Sequence, residues 1–281
     1  MRRDIKEIIF FSGCIIATIT AISLLFIILS AIFERGLPAI NIEFLTAESK
    51  EFGQNGGIYY QTIGTVMLIG VAGFLALPVA MGSAIYQTEY LRSSMQRTAN
   101  LFIHALNAVP TIIFGLFGYI FFGIFLKLGV SWLTGSFVLS IMILPTLIVS
   151  IKGAIESIPV QYREAGLALG LTQERLIRSV IIPQSLYGII TGLLLGLARA
   201  AGETAAIMFT ATTFSGVLLP SSFQEPVTTL QTHILILAQE AISPQTLTNA
   251  WGAALVLVVL VMIMSIGSML ARRKLIQEVK R

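Results

Sequence analysis

The chain is 281 residues long, 56% hydrophobic and only 11% charged, with a formal net charge of +4. A soluble domain carries roughly 25% charged residues, so this composition excludes a water-soluble particle and specifies an integral membrane protein. The positive charge is no nucleic-acid signal, because the basic residues gather at the ends of apolar runs. One cysteine, Cys14, and two histidines leave no intrachain disulfide and no metal-ligand cluster of the usual spacing.

The first apolar run covers residues 8–33. A signal peptide has an apolar core of only about 7–15 residues, whereas about 20 suffice to span a bilayer. An uncleaved first helix is expected there. Residues 34–58 form a loop with Glu34, Glu43, Glu48 and Glu51, and Gly53, Gly56 and Gly57 mark a turn before the next span. A second helix is expected over 59–86, kinked at Pro78. A polar segment at 87–98 precedes a third helix over 99–126, which holds Pro110. A fourth helix over 136–158 is kinked at Pro145 and closed by Pro159. A polar segment over 160–184 leads to a fifth helix over 185–214. The loop 215–249 has no Lys or Arg, and its stretch 228–241 is apolar at helical spacing. A sixth helix over 250–271 ends in a basic tail.

The expected fold is therefore an all-α integral membrane protein of six transmembrane helices. Of the 18 Lys and Arg residues, Arg35, Lys50 and Lys127 fall on one side and Arg199 within a span. All the others fall on the opposite side, which the positive-inside rule makes cytoplasmic, with both termini. Residues 1–58 are an N-terminal transmembrane helix and extracytoplasmic loop. Residues 59–281 are a core of five spans with a cytoplasmic loop at about 160–184.

That loop has the grammar of two short helices and a turn. Residues 164–169 are helical in pattern, Gly170 permits reversal, and Thr172 can cap a second helix. Leu167, Leu169, Leu171, Leu176 and Ile177 supply apolar faces, while Arg163, Glu164, Glu174, Arg175 and Arg178 are expected to stay wet. An ordinary amphipathic connector would have the same features.

Along the fifth helix Gly188, Gly192, Gly196, Ala200 and Thr204 recur every four residues, a stripe that admits a close neighbour. Arg199 and Glu203 are also four apart, so they share a face and can pair. Arg199 lies roughly 20 Å beyond the entry of that helix, near the middle of a core about 30 Å thick. A charge at that depth costs about 3 kcal/mol or more on insertion scales. Two readings are open: a structural salt bridge, or a site on a pathway. A guanidinium suits a tetrahedral oxyanion, since it stays charged and offers a planar fork of donors. Glu203 would repel the anion directly, so it is expected to orient the guanidinium and gate. No nucleophile–base constellation suggests an enzyme, and Glu156, His104 and His233 stand alone.

Glu164-Ala165-Gly166, Gly170 and Val180-x-Ile182-Pro183 resemble the "EAA" loop of ABC-transporter permeases, Glu-Ala-Ala, three residues, Gly, nine residues, Ile-x-Leu-Pro. Gly166 stands for the second Ala, Val180 for Ile and Ile182 for Leu. Ala198-Arg199-Ala200-Ala201-Gly202-Glu203-Thr204-Ala205 is similar to the Arg-Ala-x-Gly-Glu-Thr signature of the phosphate-transport permeases of that class. The stretches 110–117 and 84–90 match the same group in style. The sequence after the signature, Met208-Phe209-Thr210-Ala211, resembles the PstA type. The resemblance implies a type I ABC importer permease in a prokaryotic plasma (inner) membrane. Glu164, Ala165, Gly166, Gly170 and Pro183 would belong to a coupling helix docked on a separate ATPase, and Arg199, Glu203 and Thr204 to the substrate path. It implies a heterodimer with a PstC-type paralogue, two ATPase copies holding ATP and Mg, and an extracytoplasmic phosphate-binding protein. No cofactor is expected on this chain, which has no Gly-x-x-x-x-Gly-Lys-Ser/Thr loop. Its other expected contact is membrane lipid. A permease for sulfate or molybdate, or less readily a standalone secondary anion transporter, would share the arginine; a standalone carrier has no need of the docking segment.

Overall fold

The computed structural model describes residues 2–50, 53, 55–212, 219–240 and 243–279. The chain is helical almost throughout. Among the described residues five helices are long and apolar enough to cross a membrane, and a bent pair makes a sixth if it is taken as one span.

α1 (Arg2–Gly36) is apolar on every side over its central turns and touches the rest of the chain at its C-terminal end, where it meets α12 (Pro244–Val279). A helix without a polar face belongs in lipid. Arg35 places its guanidinium 5.2 Å from the centre of the Trp251 ring, fixing that junction.

The core is built by α3 (Tyr59–Glu89), α6 (Trp132–Glu156) and α9 (Ile182–Ala201). On α3, Ala72, Ala76, Ala80 and Ala84 are fully or almost fully buried at four-residue spacing. This alanine ridge faces the large side chains of α6, among them Leu139, Ile143, Leu147 and Ile151. On the other flank of α6, the glycine stripe of α9 does what its spacing predicts. A side chain at Gly192 would stand 2.8 Å from Ser150 Oγ, and at Gly188 and Gly196 it would run into Ala154 and Leu147. Backbone proximity of this kind replaces hydrophobic driving force, which lipid does not supply.

Two expected spans are broken. The third is not one helix over 99–126. α4 (Ser93–Ala108) and a second piece, α5 (Thr111–Gly118) with a π-helical extension Tyr119–Phe125, meet at 90°. Val109 before Pro110 is extended, at φ −70° and ψ 128°, the conformation a following proline enforces. Pro78 and Pro145 carry the same signal, yet α3 and α6 run through them: Pro145 is buried in the core, and Pro78, itself exposed, stands between the buried Ala76 and Ala80. The fifth span breaks too: α9 stops at Ala201, and a short α10 (Ala205–Thr210) follows. The part of that span expected at 213–214 lies outside the described residues. α5 and α10 pack together so closely that a side chain at Gly115 would stand 2.8 Å from Ala206 Cα.

At the end away from the basic loops, a small cap closes the bundle. It combines α2 (Ile42–Thr46), a two-residue hairpin pairing Ser49–Lys50 with Asn55–Gly56, α11 (Leu230–Gln239) and the start of α12. Ala39, Phe44, Ile58, Leu230 and Ala253 form its apolar centre. α11 falls within the stretch 228–241 that the sequence marked as helical; Ala241 lies outside the described residues.

Near this cap Glu225 clasps its own loop onto α6. Its carboxylate accepts from Ser221 N at 2.6 Å and Ser221 Oγ at 2.9 Å, while its carbonyl accepts from Trp132 N. These bonds, the backbone one first, hold the Glu225 carboxyl below the usual carboxylate range. A lowered folded value means the clasp survives titration of ordinary carboxylates and is lost as pH falls through that lower value. With Trp251 replaced by Phe, Trp132 emission should stay flat through the ordinary carboxylate range and change only at lower pH. A change that begins within the ordinary range would remove the clasp.

Candidate functional site

The first site lies where the two broken spans meet. Arg199 is in the last turn of α9. Its Nη1 donates to Asn107 Oδ1 at 3.1 Å and to Thr146 Oγ1 at 3.0 Å. Asn107 is one residue from the end of α4, beside the break at Pro110. Thr146 follows Pro145 and lies roughly 21 Å along α6, mid-way through that span. One guanidinium thus ties three helices, level with the middle of α6.

Arg199 does not pair with Glu203. The expected pairing assumed a continuous helix, and Gly202 ends it: Gly202 N bonds to Arg199 O at 3.1 Å and Glu203 N to Ala200 O at 3.2 Å, a tight closing turn. Glu203 then lies in the gap between α9 and α10, half-buried, with no ion pair among the described residues. Thr204 is the residue before α10 and makes no side-chain cap. Arg199 is only partly buried. A guanidinium has five N–H donors, and among the described residues Nε and Nη2 make no hydrogen bond. That edge is the one that grips an oxyanion with two parallel bonds. Asn107 and Thr146 were missed by sequence reading. The available signal was a polar residue beside a proline inside an apolar run, where freed backbone and polar side chains collect.

The second site is the loop at the basic end. α7 (Val160–Ala168) carries Glu164, Ala165 and Gly166, and Gly170 turns the chain at φ +78°. A side chain at Gly170 would meet open space, so only the backbone conformation demands glycine. Thr172 caps α8 (Gln173–Leu176), its hydroxyl accepting from Arg175 N at 3.4 Å. At Gly166 a side chain would stand 2.5 Å from Leu176 Cδ1, so the smaller residue lets α7 lie close to α8. Glu164, Ala165, Leu167 and Leu169 are exposed, Leu169 at 83%.

The second short helix is not separate from the fifth span. α8 passes through a π-helical turn, Ile177–Ile181, into α9 as one helix over Gln173–Ala201. Pro183 therefore lies inside that continuous helix, just after the π-helical turn, where the hydrogen-bond ladder is already rearranged around its missing N–H. Arg163 is only partly wet. Its Nη1 donates to Ile158 O at 2.9 Å and its Nη2 to Ile155 O at 3.0 Å, at the C-terminal end of α6. The same Nη2 lies 3.2 Å from Glu89 Oε1, with the Glu89 side chain 6% exposed. Gln173 Nε2 reaches the other Glu89 oxygen at 3.4 Å. Glu89, at the end of α3, thus holds both arms of the loop.

A protein of Methanocaldococcus jannaschii named "Probable phosphate transport system permease protein PstA" is 34% identical over 262 residues, covering 92% of this chain and 90% of that one. A "Phosphate transport system permease protein PstA" of Xylella fastidiosa is 31% identical, covering 87% and 85%. A bacterial ABC transporter that imports the acidic polysaccharide alginate has a chain of the same fold, with TM-score 0.59, 15% identity and coverage of 96% and 98%. A chain of the MetNI methionine ABC transporter also gives TM-score 0.59 at 15% identity, covering 76% and 93%. The family model described as "Binding-protein-dependent transport system inner membrane component" matches residues 76–281. The chain belongs to this family of inner membrane transport components.

Proposed function

We propose that this chain is the translocation subunit of an ATP-driven importer of inorganic phosphate. The observation that carries the reading is the half-free guanidinium of Arg199, level with the middle of α6 and held by Asn107 and Thr146, with its Nε–Nη2 edge making no hydrogen bond among the described residues. Relatives named for phosphate transport support the substrate. Discontinuous helices meeting near the membrane centre are a general way to build such a site. Arg199 meets the passing anion, and Asn107 and Thr146 hold its other face. Glu203 and Thr204, in the gap beside it, gate the path.

A system of this family includes a binding protein and an ATPase. More finely, the partners are a PstC-type paralogue forming a heterodimer, an ATPase homodimer carrying ATP and Mg, and an extracytoplasmic phosphate-binding protein. Both termini are cytoplasmic by the distribution of basic residues. Glu164, Ala165, Gly166 and the exposed leucines of α7 dock on the ATPase, with Gly170 and Pro183 setting the turn and the following helix. ATP closure displaces this rigid segment, and Glu89 and Arg163 pass the displacement to α3 and α6.

In a strain lacking only this chain, uptake of radiolabelled phosphate should be lost and restored by the gene, with sulfate uptake unchanged. Loss of sulfate uptake with phosphate uptake intact would overturn the substrate.

A further inference from the structure

The break in the fifth span leaves backbone carbonyls without helical partners. One of them, Ala201 O, accepts from the side-chain amide of Gln231 at 2.5 Å. Ala201 is two residues from both Arg199 and Glu203. Gln231 belongs to α11, in the cap at the far end of the bundle. It is 4% exposed, and its other amide atom, Oε1, lies 3.3 Å from the Thr65 hydroxyl of α3. That hydroxyl accepts from Leu230 N at 2.9 Å and has a nearer acceptor in Gln61 O at 2.8 Å, so Leu230 N makes the bond that holds α11 to α3. Only the amide nitrogen can donate to a carbonyl, so the orientation of Gln231 is determined.

We infer that Gln231 is a positioning residue which ties the far-end cap to the turn carrying Arg199. A displacement of α11 is then a displacement of that turn. The inference rests on the reading of Arg199 as the anion site. It adds that the surface facing an extracytoplasmic partner reports to the site through one side chain. Truncation would leave the Ala201 carbonyl buried and unpaired, a cost that falls on the geometry of Arg199 and not on the docking surface.

The test uses the complete transporter in proteoliposomes, with liganded binding protein and radiolabelled phosphate. Gln231→Leu should lower the maximal rate about tenfold, leaving unchanged the binding-protein concentration that gives half-maximal rate. Gln231→Glu should lower it similarly at neutral pH, because a carboxylate cannot donate to Ala201 O. Its rate should recover relative to wild type as the pH becomes mildly acid and the carboxyl regains a proton. His233, the nearest titratable group on α11, does not interfere. Burial pushes it down to about 4, so it stays neutral over that range. A wild-type rate for Gln231→Leu overturns the inference. So does a Gln231→Glu rate that keeps a constant ratio to wild type at every pH, or failure of both variants to assemble, which would make Gln231 a packing residue. If the wild-type complex moves no phosphate, the substrate reading fails by itself, and the same comparison is made on ATP hydrolysis stimulated by the binding protein.

Discussion

Arg199→Gln is expected to abolish phosphate uptake while the assembled complex is recovered at wild-type yield. The glutamine amide can still donate toward Asn107 and Thr146, the two groups that hold Nη1 now. What disappears is the charge and the free Nε–Nη2 edge. Hydrogen bonds to charged groups contribute about 1.5–3 kcal/mol each. Losing two of them removes about 3 kcal/mol or more, which is about a hundredfold in rate or worse. Arg199→Lys keeps the charge without the fork, so an intermediate loss is expected. The measurement is radiolabelled phosphate uptake into proteoliposomes holding each variant. Undiminished uptake by Arg199→Gln would reduce the guanidinium to a tie between α4, α6 and α9.

The second large effect is expected at Glu89. Its side chain is almost fully buried, while Arg163 keeps 22% of its exposure. Removing one partner of a buried pair costs about 3–5 kcal/mol; the partly wet arginine reduces that to about 2 kcal/mol. The loss falls where α3, α6 and the loop join, so Glu89→Ala should loosen α7. It should shed the ATPase on purification and lower transport in proportion. Glu89→Gln keeps one neutral acceptor, which can still meet Arg163, and loses the acceptor for Gln173, so it should be milder than Glu89→Ala. Exchanging the two charges should not rescue, because an acidic residue at 163 would face the carbonyls of Ile155 and Ile158. The readout is ATPase retained per transporter after detergent extraction. Full retention by Glu89→Ala would separate this pair from coupling.

The spans were legible because twenty apolar residues have few other uses. The turn at Gly170 and the cap at Thr172 were legible because each is decided within four residues. What the sequence hid depends on distant packing. Pro78, Pro110 and Pro145 look alike in a string, yet only Pro110 breaks its helix: Pro145 is buried in the core, and Pro78, itself exposed, stands between the buried Ala76 and Ala80. Glu203 fell on the face of Arg199 only if Gly202 continued the helix. Glu89 and Arg163 are 74 residues apart, and no local pattern pairs them.

α10 has six residues, far fewer than a helix needs to persist alone in water. It keeps its shape because α5 and α6 flank it. Its local stability is therefore lent by its neighbours and is the first to go when they separate. The segment just past the arginine is thus the part of the bundle that can melt and re-form without unwinding a full span.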